Sequence, residues 1–124
     1  NASVTSDQRN FYWTETVTGK IRRSPGGAAE IIDVVTGVEG QFQPVALAID
    51  EVGGKMYWTD HYSRKIQRAS LLDGTNVEDL VSGVESGTGL TLDLVGGMMY
   101  WVDPSGVRRA SLDGSNAIVL LTAS

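Results

Sequence analysis

Cysteine is missing altogether from this 124-residue chain, so neither a disulfide framework nor a thiolate-bound metal is open to it. Histidine occurs once, at His61, which argues against a zinc site built within a single chain. Lysine and arginine number 10 against 15 aspartates and glutamates, and the net charge of −5 argues against nucleic acid, whose phosphates need a basic surface. No apolar run approaches the roughly 18 residues that cross a bilayer as a helix, so membrane insertion is not expected. No stretch keeps an apolar period of 3.6 residues, so helix should be nearly absent. Phosphate loops and hydrolase elbows are not visible either, because the paired glycines fall between short strands and not ahead of helices. An enzyme and a bound cofactor are therefore not expected. The chain starts at Asn1 without an initiator methionine or a signal-like segment, as a processed product or an excised piece would.

What is present is repetition. The segment KMYWTDHYSRKIQRASLLDG at residues 55–74 recurs as NFYWTETVTGKIRRSPGG at 10–27 and as MMYWVDPSGVRRASLDG at 98–114. Tyr12-Trp13, Tyr57-Trp58 and Tyr100-Trp101 mark the three copies. They recur at intervals of roughly 40–45 residues, the size of one four-stranded propeller blade. Around each copy lie β-branched runs of strand length separated by Gly, Asp or Asn turns. The expected strands are a weak one at 3–7, then FYWTET, KIRRS and EIIDVVT; VALAID, KMYWTD, KIQRASL and VEDLVS; and GLTLDL, MMYWVD, GVRRASL and AIVLLT. This divides the chain into units at 1–36, 37–82 and 83–124, the first with a degenerate opening strand.

Alternation along KMYWTD puts Met56, Trp58 and Asp60 on one face and Tyr57 and Thr59 on the other. A bulky ring on each face means a sheet covered on both sides, as in stacked blades, whereas an isolated antiparallel sheet leaves one face polar. Met98-Met99 alternates in the same way and reads as core rather than as a flexible binding patch.

These residues resemble the class B repeat of the low-density-lipoprotein receptor, the YWTD repeat. The second unit matches at Leu47, Ile49 and Asp50, at residues 57–60, and at Ile66, Arg68, Ala69, Asp73 and Gly74. The third matches at Gly89, Leu90, Leu92, Asp93, Tyr100, Trp101, Asp103, Val107, Arg109, Ala110, Asp113 and Gly114. The first unit departs, with Glu15 at the motif aspartate and Ser24-Pro25-Gly26-Gly27 in place of A-x-L-D-G; Val102 replaces threonine in the third. The resemblance implies an all-β fold of three four-stranded antiparallel blades, half of a six-bladed YWTD propeller. It also implies an extracellular or secreted setting, although the cysteine-rich modules that flank receptor propellers are not in this chain. In the family the motif aspartate and the third-strand arginine tie neighbouring blades together, so Asp60, Asp103, Arg68 and Arg109 are read as structural, each carboxylate satisfying an arginine at a seam. A cation held by a ring of carboxylates is the functional alternative.

Three blades leave two end faces uncovered, and each forfeits several kcal/mol of burial on the usual scale of about 25 cal/mol per Å². The arc is therefore expected not to be monomeric. A second copy joined at both seams as a homodimer would close the ring, as would other blades of a longer or different chain.

In a propeller the loops joining strand two to three and blade to blade share one rim. Here these are residues 16–19, 40–44, 61–64, 86–88 and 104–105. Phe42, His61, Tyr62 and Arg64 give that rim the aromatic and arginine character enriched at binding hot spots, or simply cover the blade ends. Imidazole titrates near neutrality, which also makes His61 a candidate acid sensor. Asn1-Ala2-Ser3 is a glycosylation sequon. The functional expectation is a non-enzymatic protein-interaction module. The alternatives are a structural subunit docked in a larger complex and a calcium-dependent six-bladed hydrolase or lactonase.

Overall fold

The computed structural model describes residues 3–7, 9–27, 30–85 and 89–122. The Asn1 sequon and the rim residues 86–88 fall outside the described residues.

Twelve strands form three sheets of four. The first holds β1 (Val4–Ser6), β2 (Phe11–Glu15), β3 (Lys20–Ser24) and β4 (Ile32–Thr36). The second holds β5 (Pro44–Asp50), β6 (Lys55–Asp60), β7 (Lys65–Ser70) and β8 (Glu78–Ser82). The third holds β9 (Gly89–Asp93), β10 (Met98–Asp103), β11 (Gly106–Ser111) and β12 (Ile118–Thr122). Each sheet is a meander paired in chain order, and all its ladders are antiparallel. Among the described residues there is no helix. A bulge in the fourth-strand pairing recurs at the same place in all three sheets, between Ile21 and Arg22, Ile66 and Gln67, and Val107 and Arg108.

Register explains how each motif is used. Tyr57 faces Ala48 on β5 and Arg68 on β7, whereas Trp58 faces Leu47 and Gln67. Because successive side chains leave opposite faces, tyrosine and tryptophan serve different seams. Met56, Trp58, Leu47 and Ala69 of the second blade form one core with Tyr12, Ile21 and Val34 of the first. Tyr57 and Ile66 of the second blade form another with Met99, Trp101 and Ala110 of the third. Each blade therefore sends its tryptophan backward, to the preceding blade, and its tyrosine forward. Met99 is fully buried. The blades approach one another around β5, which lies against both β1 and β2 of the first blade and against β9 of the third.

Candidate functional site

The seams show what a blade face accepts. Arg23 on β3 donates from Nη1 to the carbonyl oxygens of Leu71 and Leu72, at 3.2 and 2.6 Å, in the β7–β8 turn of the next blade. Arg68 occupies the same position one blade on and donates to the Leu112 carbonyl at 2.9 Å, while its Nε bonds Glu78 Oε1 at 2.9 Å. The Arg68 guanidinium also sits 5.9 Å from the Tyr57 ring centroid. Thr14 adds a further tie, its hydroxyl donating 2.8 Å to the Val45 carbonyl across the first seam. The turns are pressed close. A Cβ on Gly74 would collide with the Val34 carbonyl, and one on Gly114 with the Leu80 carbonyl, so the glycine of each turn is dictated by the blade behind it.

Motif aspartate and third-strand arginine do not satisfy one another across the seams, which corrects that expectation for Asp60, Asp103, Arg68 and Arg109. Asp60 is buried and accepts from the amides of Gln43 and Tyr62 at 2.8 and 3.3 Å and from the Ser63 hydroxyl at 2.6 Å. It pins the rim, not the seam. Asp103 accepts from the Ser105 amide and hydroxyl and pairs with Arg108, one residue before the expected arginine. Burial pushes the Asp103 carboxyl up, but the Ser105 bonds and the Arg108 charge outweigh it and hold it below the usual carboxylate range. Asp73 and Asp113 cap their own turns, accepting from Thr75 and Ser115 respectively. Among the described residues Arg109 has no hydrogen-bond or ion-pair partner.

Glu15 at the motif position of the first blade proves to be a local adjustment. One methylene longer than aspartate, it reaches the Trp13 indole nitrogen at 3.0 Å as well as Arg22 at 3.2 Å. In the second blade Gln67 supplies the acceptor for Trp58 at 3.0 Å. In the third, Asp103 is the shorter acid and Arg108, opposite Trp101, can only donate. Among the described residues Trp101 Nε1 is accordingly buried without a partner.

On the rim, His61, Tyr62 and Arg64 are exposed, and Arg64 adopts φ 59°. The His61 amide donates to the Gln43 carbonyl at 2.9 Å, which brings this loop against the linker from the first blade. Phe42 is a correction: it is buried, not displayed. Its ring packs edge-on to Trp58 with centroids 6.1 Å apart at 82°, because hydrogen bonds donated by the Gln41 and Phe42 amides to the Val38 carbonyl fold the linker inward. Residues 104–105 are partly exposed. Among the described residues no three His, Asp or Glu side chains stand close enough together to hold a metal ion.

The end faces are the least satisfied part of the molecule. On the leading face of blade one, Phe11 is 52% exposed where its counterparts Met56 and Met99 are 0%, and Trp13 is half-buried where Trp58 and Trp101 are buried. On the trailing face of blade three, Tyr100 and Val107 are half-buried where Tyr12, Tyr57, Ile21 and Ile66 are buried. Val102 there is 40% exposed, against 0% for Thr14 and 2% for Thr59. Leu90, Tyr100, Val102 and Val107 line a shallow apolar hollow of about 440 Å³ on this face. A trailing face that is apolar, tyrosine-bearing and equipped, among the described residues, with an unengaged arginine is the candidate site.

No protein-family model matches the chain. Solved structures do. One is a chain of a nidogen/laminin complex, 25% identical, with a TM-score of 0.82 over 94% of this chain and 45% of that one. Hydrazine synthase of Kuenenia stuttgartiensis matches at 12% identity and TM-score 0.74, over 95% of this chain and 34% of that one. Virginiamycin B lyase from Staphylococcus aureus matches at 15% identity and TM-score 0.72, over 94% and 40%. The chain thus spans less than half the length of each of these three solved chains. At these identities the two enzymes speak to the shape of the blades alone.

Proposed function

We propose that this chain, three blades of the YWTD β-propeller type, is a non-enzymatic protein-interaction module whose end faces are completed by further propeller blades. One observation carries this reading: positions that are sealed in both internal seams are open at both ends. Uncovered apolar faces of this extent mark interaction surfaces. A propeller-like chain from a nidogen/laminin complex supports the reading by analogy, as a relative that occurs in a protein assembly. Six blades in all, a homodimer or other blades supplying the missing three, would complete the ring. The exposed rim residues His61, Tyr62 and Arg64 offer a second, smaller contact on the same module.

Site-specific photo-cross-linking tests this in cells that make the protein. A benzophenone at position 102 should give a discrete protein adduct, whereas one at the freely exposed position 95 should not. Equal or absent labelling at both positions would refute it. The propeller-hydrolase alternative predicts heat on calcium titration, and the present reading predicts none.

A further inference from the structure

We infer that the trailing face of blade three is built to receive the leading face of blade one from a second copy of this chain, head to tail. The inference rests on the interaction reading above and names its partner. Three features of the two ends carry it.

The first is polarity. Every blade points tryptophan backward and tyrosine forward, so the ends of the arc are the two unlike halves of one seam. Tyr100 and Arg109 stand where Tyr57 and Arg68 stand, and Arg109 lacks the turn carbonyl that Arg23 and Arg68 each find in the next blade. Blade one offers that backbone in its own turn at Gly26 and Gly27, which follow Arg23 as Leu71 and Leu72 follow Arg68.

The second is size. At both internal seams an isoleucine on the trailing face, Ile21 or Ile66, shares a core with a methionine on the leading face, Met56 or Met99. The ends change both partners in opposite directions: the trailing face has the smaller Val107, and the leading face the bulkier Phe11. A volume lost on one face and gained on the other is what a well-packed seam between them requires.

The third is hydrogen bonding. Thr14 crosses its seam to Val45, which lies near the start of the seven-residue β5. β1, the strand that would meet blade three, has only three residues and begins opposite Trp13. The trailing face of blade three carries Val102 at the threonine position, so it brings no hydroxyl donor that a first-strand carbonyl would have to accept from. A blade face measures roughly 19 by 17 Å from ordinary strand spacings. Two seams would bury about 1,200 Å² in plan, which reaches the range of stable protein interfaces.

Sedimentation equilibrium of the whole chain over micromolar concentrations tests this, with Phe11→Glu and Val102→Glu as seam variants. Both side chains are exposed in the single chain, so circular dichroism should show each variant folded; Phe11→Asn and Val102→Asn serve if a glutamate unfolds it. The wild type should sediment as a dimer. Each variant alone should dissociate more easily by roughly a hundredfold or more, because each places an unpaired charge in both seams. Mixing the two should restore association, since one of the two seams in the mixed pair contains neither substitution. A dimer that survives in one variant but not the other means like faces meet, and a dimer that survives in both means the contact lies elsewhere; either overturns the inference. A monomeric wild type overturns it too, and leaves the interaction reading to stand or fall on whether position 102 cross-links to a different protein.

Discussion

Replacing Gly114 by alanine isolates what a seam contributes. The residue sits in the turn between β11 and β12 at φ +87°, and a Cβ there would run into the carbonyl, carbonyl carbon and Cα of Leu80 on β8. Gly97 is the control, since its φ is +70° but a Cβ there meets nothing within 4 Å. Both substitutions carry the left-handed penalty of about 1–2 kcal/mol. Only Gly114→Ala also forces two blades apart. The obstacle is main chain in a paired strand, so it cannot rotate out of the way, and the second blade must shift from the third. Complete separation would expose about 600 Å² and forfeit on the order of 15 kcal/mol, so the seam will yield only partly, at the 1–3 kcal/mol typical of overpacking. Gly97→Ala should therefore lose about 1–2 kcal/mol and Gly114→Ala about 2–5 kcal/mol in urea unfolding. Hydrogen exchange should rise in β8 to β12 for Gly114→Ala alone. Equal losses for the two variants, with unchanged exchange, would refute the claim that the turn is held by the blade behind it.

Trp58→Ala removes a fully buried ring that packs edge-on to Phe42 and should cost about 3–5 kcal/mol, read as a lost near-UV signal and a lowered melting point. Arg108→Gln copies the second blade's Gln67 and gives the Trp101 indole an acceptor, whereas Arg108→Ala does not. The glutamine variant should be the more stable of the two by about 1 kcal/mol in denaturant titration. Asp79 is held below the usual carboxylate range by Lys65 and Gln67, and Asp103 by its Ser105 and Arg108 contacts against the opposing effect of burial. Depressed folded-state values place the stabilisation above the unfolded pKa, so melting temperature should stay level down to about pH 5 and fall below about pH 4. His61→Ala alters an exposed loop side chain and should change stability by less than about 0.5 kcal/mol.

The strands were legible because alternation and glycine turns leave a short β meander few other arrangements. The expected KMYWTD and MMYWVD are β6 and β10 residue for residue, and even the weak opening strand is present at Val4–Ser6. The strand expected at 30–36 begins two residues later, at Ile32. Polar partnerships were less legible, because they depend on which residue lies across the ladder. Trp58 faces Gln67 and Trp101 faces Arg108, and that single exchange decides whether an indole is satisfied. A sequence motif makes Asp60 and Asp103 equivalent, yet one pins a linker and the other a tight turn, since the loops that follow differ in length and composition. Phe42 looked like a rim residue because it lies between strands; the hydrogen bonds that curl its linker are main-chain bonds and carry no side-chain signature.

The one-way orientation of the blades has a bearing on concentration and solubility. A surface that recognises only its opposite can add units without limit, and whether a row of such arcs bites its own tail or grows as a filament is set by the angle at each joint. β5 lies against β1, β2 and β9, so on the head-to-tail inference a bulky insertion beside β5 or β9 should widen that angle and favour an open polymer over a closed particle.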